Sequence, residues 1–138
     1  MTTKYPKRHA RKPKPGDDPK YLAWLRKRPC LLCYLPFWNW LQTQEIEVQN
    51  GLVSMVDELC ESGAGHAQET PTEAAHLGKS TSHRGLNQKY PDHEAGPLCN
   101  QHHAEHHANT KGFWIRWAAL DRDGVLTMLV RIYLAKQT

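Results

Sequence analysis

Apolar residues form short groups along the chain, separated by polar stretches that contain glycine and proline. Spacings of three and four residues indicate helices, whereas alternation indicates strands. The pattern and its interruptions predict helices over 21–28, 52–60, 100–109 and 113–120, strands over 73–77 and 94–98, and a final helix or strand over 125–135. Short helices combined with two strands predict an α+β fold.

The segment that begins near residue 45 allows two structures. Apolar and acidic residues alternate over 45–48, and Asn50-Gly51 is a typical hairpin turn, which together indicate a hairpin. The apolar residues from Leu52 to Leu59 instead have helical spacing. Both a hairpin and a helix starting after Gly51 fit, and the spacing favours the helix over 52–60.

Length and composition indicate the domain organisation. With 138 residues, 39% of them hydrophobic, the chain is expected to form a single domain over 20–138, with a small core that a metal would stabilise. Residues 1–19 contain four prolines without apolar periodicity, which predicts a disordered arm. No apolar segment opens the chain or approaches the roughly 18–20 residues of a membrane span. We therefore expect a soluble, cytoplasmic protein with no membrane partner.

Charge is distributed unevenly along the chain. Residues 1–29 carry ten lysines and arginines but only two aspartates, a net charge of +8, whereas the remainder carries −4. A disordered basic arm attached to a mildly acidic body suits contact with the phosphate backbone of a nucleic acid, which releases condensed counterions. A solubilising tail is the alternative. The arm beside a metal site favours DNA as the partner.

Two segments together indicate a structural zinc. Cys30 and Cys33 form a Cys-x-x-Cys motif, and Cys99 is followed by four of the nine histidines within residues 102–107. On a helix, at about 100° per residue, Cys99 and His102 lie on one side. They could complete a tetrahedral Cys₃His site with the first motif. His106 lies in nearly the same direction as His102 and is the alternative fourth ligand.

The other histidines of this helix indicate a second ion. His103 and His107 lie on a neighbouring side, with the i, i+4 spacing at which two histidines chelate one metal. A thioredoxin-like redox role for the Cys-x-x-Cys motif is disfavoured, because Pro29 precedes the motif and an aromatic-rich stretch follows it. Cys60 has no partner at metal-binding spacing and is expected to be a small buried residue.

The combined motifs resemble the HNH (His-Me finger) endonucleases, in particular small zinc-containing members from phages and prophages. The matching residues are Cys30-x-x-Cys33, Glu73-Ala74-Ala75-His76-Leu77, Lys89-x-x-Asp92 and Pro97-Leu98-Cys99-x-x-His102-His103-x-Glu105-x-His107, followed by Phe113-Trp114. The resemblance covers about residues 22–120, with an insertion at 34–72 between the zinc motif and the core. It implies a ββα-metal fold that a structural zinc stabilises, with flanking helices. It also implies that the protein acts in a bacterial host cell.

The resemblance also implies roles for individual residues in a divalent-metal-dependent DNase. His76 would be the general base that activates water, and Asp92, rather than His93, would brace it. His103 and His107 would hold one ion, Mg²⁺, Mn²⁺, Ni²⁺ or Zn²⁺, against the scissile phosphate. No small-molecule cofactor is expected.

Residues around this implied site complete the expectation. Lys79, Arg84 and Lys89, in the loop after the base, would contact DNA phosphates. Glu105 is either a partner of the metal histidines or a solvated helix residue. Ala75 occupies the position where many members carry a further metal ligand, so water and phosphate would complete the ion's coordination.

Two other functions fit the same residues. A non-catalytic zinc module could bind nucleic acid through the basic arm without cleaving it. A zinc-stapled protein-interaction domain could instead use an aromatic surface formed by Phe37, Trp38 and Trp40. The first alternative predicts salt-sensitive DNA binding without cleavage, and the second predicts no DNA binding once the arm is removed.

Overall fold

The computed structural model describes residues 16–53, 70–80, 82 and 89–136. Its helices are α1 (Pro19–Leu25), α2 (Leu35–Leu41), α3 (described over 46–53), α4 (Asn100–Ala108), α5 (Thr110–Arg116) and α6 (Arg122–Ala135). Its strands are β1 (Thr72–His76) and β2 (Ala95–Cys99), and a short 3₁₀ helix, Asp92–Glu94, directly precedes β2. The helices and the two-stranded antiparallel sheet confirm the α+β class.

The two strands form an antiparallel pair in which His76 lies opposite Ala95 and Thr72 lies opposite Cys99. All five residues of β2 are buried. Gly96 permits this close packing, since a Cβ atom there would lie 2.9 Å from the Leu31 side chain and 3.1 Å from those of Leu77 and Leu126. The second strand therefore runs through the middle of the molecule, with other elements packed around it.

The hydrophobic core joins α6 to the N-terminal helices. Several side chains of α6 are fully buried, and so are Tyr21 and Leu25 of α1. Trp38 of α2 is also inside, with 1% of its surface exposed, whereas Trp40 is 50% exposed. Most of the predicted aromatic surface at 37–40 is thus partly or fully covered by the core.

Side-chain caps explain where the C-terminal helices begin. Asn109 precedes α5 and caps it, because its side chain accepts a hydrogen bond from the Gly112 N–H (3.0 Å) in the first turn. Asp121 accepts one from the Gly124 N–H (3.2 Å) and starts α6. Each cap satisfies a backbone donor that the first helical turn leaves unpaired. The final apolar segment is accordingly a helix rather than a strand.

The Asn50-Gly51 pair lies within α3 and forms no hairpin turn, so the helix does not begin after Gly51. The buried amide of Gln49 donates to the backbone carbonyls of Leu41 (3.2 Å) and Gln44 (2.9 Å), which ties α3 to the end of α2. Since this anchor comes from a polar side chain, apolar spacing alone could not reveal it. The rest of the predicted helix over 52–60 lies outside the described residues.

The proposed basic arm lies mostly outside the described part of the chain, which starts at Gly16. From there the backbone is bonded to the loop before β2, because the Asp92 N–H donates to the Gly16 carbonyl (2.9 Å). Asp18 caps α1 by accepting from the Tyr21 N–H (3.0 Å), and Pro19 occupies the first turn, where its missing N–H costs nothing. None of the described helices has both the length and the apolar character needed to cross a bilayer.

Candidate functional site

Three parts of the chain bring one histidine and three cysteines together. Cys30 and Cys33 lie in the turn between α1 and α2, which is fixed to the sheet by a hydrogen bond from the Leu31 N–H to the Pro97 carbonyl (2.9 Å). Cys99 ends β2, and His102 lies in the first turn of α4. Their ligand atoms all lie within 4.8 Å of one another. We call these four residues the Cys₃His cluster.

The distances inside the cluster are close to those of a tetrahedral metal site. Zinc–sulfur bonds of about 2.3 Å and a zinc–nitrogen bond of about 2.0 Å place tetrahedral ligand atoms roughly 3.5–3.8 Å apart. The His102 Nδ1 atom lies 3.1 Å from the Sγ of Cys99, 3.4 Å from that of Cys30 and 3.6 Å from that of Cys33. The Sγ atoms of Cys33 and Cys99 are 3.9 Å apart. The cluster could therefore hold a metal such as zinc.

The electrostatics of the cluster without a metal favour neutral groups at most positions. Burial raises the pKa of the Cys30 and Cys33 thiols and lowers that of the His102 imidazole. For Cys99, burial also raises the pKa, but hydrogen bonds from the His102 backbone N–H and from neighbouring side chains outweigh it, so the pKa is lowered. A bound metal would draw protons from the thiols, which couples metal binding to pH.

A second arrangement joins His76, the last residue of β1, to Asp92. The His76 Nε2 atom lies 2.8 Å from the Asp92 Oδ1 atom, and the imidazole is 26% exposed whereas the carboxyl is 2% exposed. An ionised carboxylate can only accept, so His76 donates through Nε2 and keeps the lone pair on Nδ1. A partly exposed imidazole with a fixed tautomer can accept a proton from a neighbouring molecule.

Three donors, His76 among them, keep Asp92 ionised. Burial raises the pKa of this carboxyl, but hydrogen bonds from the Asp18 backbone N–H (2.6 Å), from His76 and from the Lys89 ammonium (3.3 Å) outweigh burial and lower it. Lys89 also lies 3.8 Å from an Asp17 oxygen. This predicted phosphate-binding residue thus neutralises the carboxylate that orients His76.

A third arrangement involves His103 and His107, one turn apart on α4. Their Nε2 atoms are 3.0 Å apart. On its other side, His103 donates through Nδ1 to the Glu73 carboxylate of β1 at 2.8 Å, and this hydrogen bond is the largest cause of the lowered pKa of Glu73. Donation from Nδ1 leaves a lone pair on Nε2, which is the protonation state that a metal ligand requires. The two imidazoles could bind one ion between them.

Two further polar residues of α4, Glu105 and His106, contact α5 and the residue that follows it. Glu105 accepts hydrogen bonds from Arg116 and from the Trp117 indole, both at 3.0 Å, and so links α4 to α5 instead of contacting His103 or His107. His106 is buried, with its ring edge-on to that of Phe113 at 5.1 Å. His102, and not this alternative ligand, lies in the Cys₃His cluster.

The loop after His76 is only partly described. The Lys79 backbone N–H donates to Glu94 (2.9 Å), and the N–H and hydroxyl of Ser80 both donate to Asp123 at the start of α6. Gly78 has a positive φ of 72°, and the Tyr90 ring lies within 2.6 Å of where its Cβ would be. Arg84 lies outside the described residues.

The structure therefore gathers the predicted residues into three arrangements. Within the described ranges, the Cys₃His cluster is the one place where three or more candidate ligands converge. In the same part of the chain, no hydrogen bond joins the His76–Asp92 pair to His103 or His107. Sequence reasoning missed two participants, Glu73 and Asp18. Glu73 was visible as a polar strand residue three positions before His76, but its partner on α4 depends on how the strands pair.

Comparisons with known proteins identify no relative. No family model matches the chain, and no curated protein or solved structure matches it at a significant level. The function must consequently be inferred from the geometry of the residues themselves.

The Cys₃His cluster predicts stoichiometric zinc binding that stabilises the fold. We expect Cys33→Ser to lose the metal and to lower the melting temperature by roughly 10 °C or more, because several kcal/mol of metal-linked stability disappear at about 2–8 °C per kcal/mol. Elemental analysis and thermal unfolding would measure both effects. Cys60→Ser, which removes a cysteine outside the cluster, is the control and should retain one zinc per chain; equal zinc content in both variants would refute the site.

The Asp92 environment predicts how stability depends on pH. Because the pKa of Asp92 is lowered on folding, its ionised form stabilises the protein above the unfolded value of about 3.9, and this contribution is lost as the pH falls through the lower folded value. We expect Asp92→Asn to be less stable by about 1–3 kcal/mol at pH 7. Urea unfolding at several pH values would measure the free energy of unfolding of both proteins. The stability difference between the wild type and Asp92→Asn should not decrease between pH 7 and about pH 5. A difference that already shrinks within that range would mean that the carboxyl titrates with a raised pKa.

Proposed function

We propose that the protein is a metal-dependent HNH-type endonuclease that hydrolyses phosphodiester bonds in DNA, built on a ββα-metal core. The observation that carries the proposal is the His76–Asp92 pair, a partly exposed imidazole oriented by a buried, ionised carboxylate. The two other arrangements supply what such a reaction also needs, namely a rigid fold around the strand ends and a place for a divalent ion.

The His76 imidazole provides the proton acceptor. A water molecule attacks the phosphorus, its proton passes to the Nδ1 atom of His76, and the bond from phosphorus to the leaving 3′ oxygen breaks. Asp92 holds the ring in the tautomer that leaves Nδ1 unprotonated, and it stabilises the imidazolium that forms, as the carboxylate does in other oriented acid–base pairs.

His103 and His107 provide the metal ligands. A divalent ion bound at their Nε2 atoms would neutralise charge on the phosphate and on the leaving oxygen. Glu73 supports this assignment, since a carboxylate bonded to the second nitrogen of a histidine is the common arrangement around metal ligands. The reaction requires that one substrate phosphate lie between this pair and the water at His76.

The order of elements supports the ββα assignment. β1 ends at His76, β2 pairs with it antiparallel, and α4 starts directly after Cys99 and carries His103 and His107. The zinc that we propose for the Cys₃His cluster would fix the start of α4 to β2 and to the Cys30–Cys33 turn. Metal at this junction would thereby hold the ligand pair of α4 in place relative to the sheet.

A non-catalytic nucleic-acid-binding module is the second candidate. Ala75 supports it, because the methyl side chain of this residue, directly before His76, has no atom that can bind an ion, and it is packed inside the core. The candidate ion would then depend on the two histidines, with water and phosphate completing its coordination. Cleavage assays separate the two candidates directly.

The decisive experiment uses supercoiled plasmid with zinc-loaded protein and added Mg²⁺, Mn²⁺ or Ni²⁺. We expect nicking by the wild type and a loss of about 10²–10⁴-fold in rate for His76→Ala, because general-base catalysis contributes about that much. Partial rescue of the variant by added imidazole would identify the lost group as a proton acceptor.

His66→Ala is the matched control, since it removes a histidine to which no role is assigned, and it should nick like the wild type. Both variants should retain zinc and unfold cooperatively. His76→Ala should melt at a somewhat lower temperature, because it removes one donor from the buried Asp92 carboxylate. Equal nicking by wild type and His76→Ala would contradict the assignment of the base. Salt-sensitive DNA binding without any cleavage would favour the non-catalytic module.

The Glu73–His103 contact generates a separate prediction about metal affinity. Glu73→Ala should weaken the binding of Mn²⁺ to zinc-loaded protein by about 10–100-fold, the usual cost of removing a carboxylate behind a ligating histidine. Calorimetric titration would measure the affinity without reference to cleavage. Glu47→Ala removes an exposed glutamate of α3 and is the control for net charge. The role of Glu73 is wrong if both variants bind Mn²⁺ with equal strength.

A further inference from the structure

Asp18 contacts two consecutive residues of the short 3₁₀ helix before β2. Its backbone N–H donates to the Oδ2 atom of Asp92 at 2.6 Å, and its own Oδ2 atom lies 2.8 Å from the Nε2 atom of His93. Because an ionised carboxylate can only accept, His93 donates through Nε2. One residue before α1 thus contacts both the carboxylate that orients His76 and the histidine directly after it.

The first of these contacts restrains rotation of the Asp92 carboxyl group. Its Oδ1 atom accepts from His76 and its Oδ2 atom from the Asp18 N–H. The last torsion of an aspartate side chain has a broad energy profile, so a carboxyl group without a tether rotates easily. With Oδ2 held by Asp18, Oδ1 stays directed at His76. Burial raises the pKa of Asp92, and among the opposing causes the Asp18 N–H lowers it most, ahead of His76.

The second contact fixes the position of that N–H group. The Oδ1 atom of Asp18 accepts from the Tyr21 N–H (3.0 Å), which connects Asp18 only to its own helix. His93 connects it to the 3₁₀ helix that contains Asp92. The His93 ring lies edge-on to the fully buried Tyr21 ring at 5.2 Å, so the imidazole is itself supported although 42% of its side chain is exposed.

We propose that His93 is a positioning residue, which acts through Asp18 and Asp92 to keep His76 in the tautomer with an unprotonated Nδ1 atom. His93 itself contacts neither the substrate nor the reacting atoms. The catalytic consequence rests on the proposed nuclease function, but the state of the His76 imidazole can be measured without cleavage.

Four variants test the proposal. His93→Ala removes the donor, whereas His93→Gln places an amide N–H near the position of the imidazole Nε2. Asp18→Ser still caps α1, because serine is a comparable capping residue, but its side chain is too short to reach His93. Asn39→Ala is the control, since it removes two polar contacts elsewhere, to the Ala119 carbonyl (2.6 Å) and from the Asp121 N–H (2.8 Å).

Nitrogen-15 NMR of the imidazoles measures the tautomer directly. Zinc-loaded protein is studied without DNA or other divalent ions at about pH 8, where an imidazole of ordinary pKa is neutral. His76→Ala identifies the signals of His76 among those of the nine histidines. In the wild type, we expect Nε2 to carry the proton. In His93→Ala and Asp18→Ser, both nitrogen signals should move toward the average of the two tautomers, and in His93→Gln they should return.

Nicking of supercoiled plasmid with added Mn²⁺ measures the catalytic consequence. For His93→Ala and Asp18→Ser we expect kcat to fall by about 10-fold at unchanged KM, less than the roughly 10²–10⁴-fold contribution of a general base, because Asp92 and His76 both remain. The double variant should be no slower than either single one, since the two side chains act as a unit. His93→Gln should nick like the wild type, and Asn39→Ala should do so despite its lower stability.

The two measurements separate this proposal from the nuclease function. Wild-type His76 signals and nicking in both His93→Ala and Asp18→Ser would overturn the role of His93 and leave the nuclease intact. Changes that Asn39→Ala shares and that His93→Gln does not reverse would overturn it as well, because they would indicate general destabilisation. Absence of nicking by the wild type would overturn the proposed function, while the nitrogen signals would still decide whether His93 positions His76.

Discussion

The convergence of Cys30, Cys33, Cys99 and His102 is the constraint on which the rest of the structure depends. Cys99 is at once the last residue of β2, the residue before α4 and a member of the cluster. A metal at this point would join the first turn of the described fold to its central strand and to the helix of candidate ligands. A chain of this size with a small apolar core gains much from such a cross-link.

The chain that precedes α1 restrains the other end of the sheet. The Asp18 N–H and the Gly16 carbonyl both bond to Asp92, so the backbone before α1 holds the residue that orients His76. The same short segment connects α1 to the basic residues of the N-terminus.

Local sequence patterns predicted the elements better than the contacts between them. The predicted strands and the helix over 100–109 lie within about a residue or two of those observed, because alternation, helical spacing and glycine or proline breaks are local signals. The Cys₃His cluster was also predictable, since cysteine and histidine spacing limits the possible ligand sets.

Other features depend on packing between distant parts of the chain. Nothing near Asp18 in sequence indicates a bond to Asp92, 74 residues away, and nothing near Glu73 indicates that it meets His103. At Gln49, a local signal gave the wrong prediction. Asn50-Gly51 predicted a turn, but the buried hydrogen bonds of the Gln49 side chain favour a helix. Side-chain hydrogen bonds to backbone carbonyls of the preceding segment overrode the local turn signal there.

The most direct measurement is anomalous X-ray diffraction from crystals of zinc-loaded protein soaked in Mn²⁺. One zinc peak should lie among the four ligands of the Cys₃His cluster, and a manganese peak should lie roughly 2 Å from the Nε2 atoms of both His103 and His107, the usual length of a metal–nitrogen bond. A zinc peak without manganese between these histidines, or manganese bound elsewhere, would contradict the two-metal arrangement that the proposed nuclease requires.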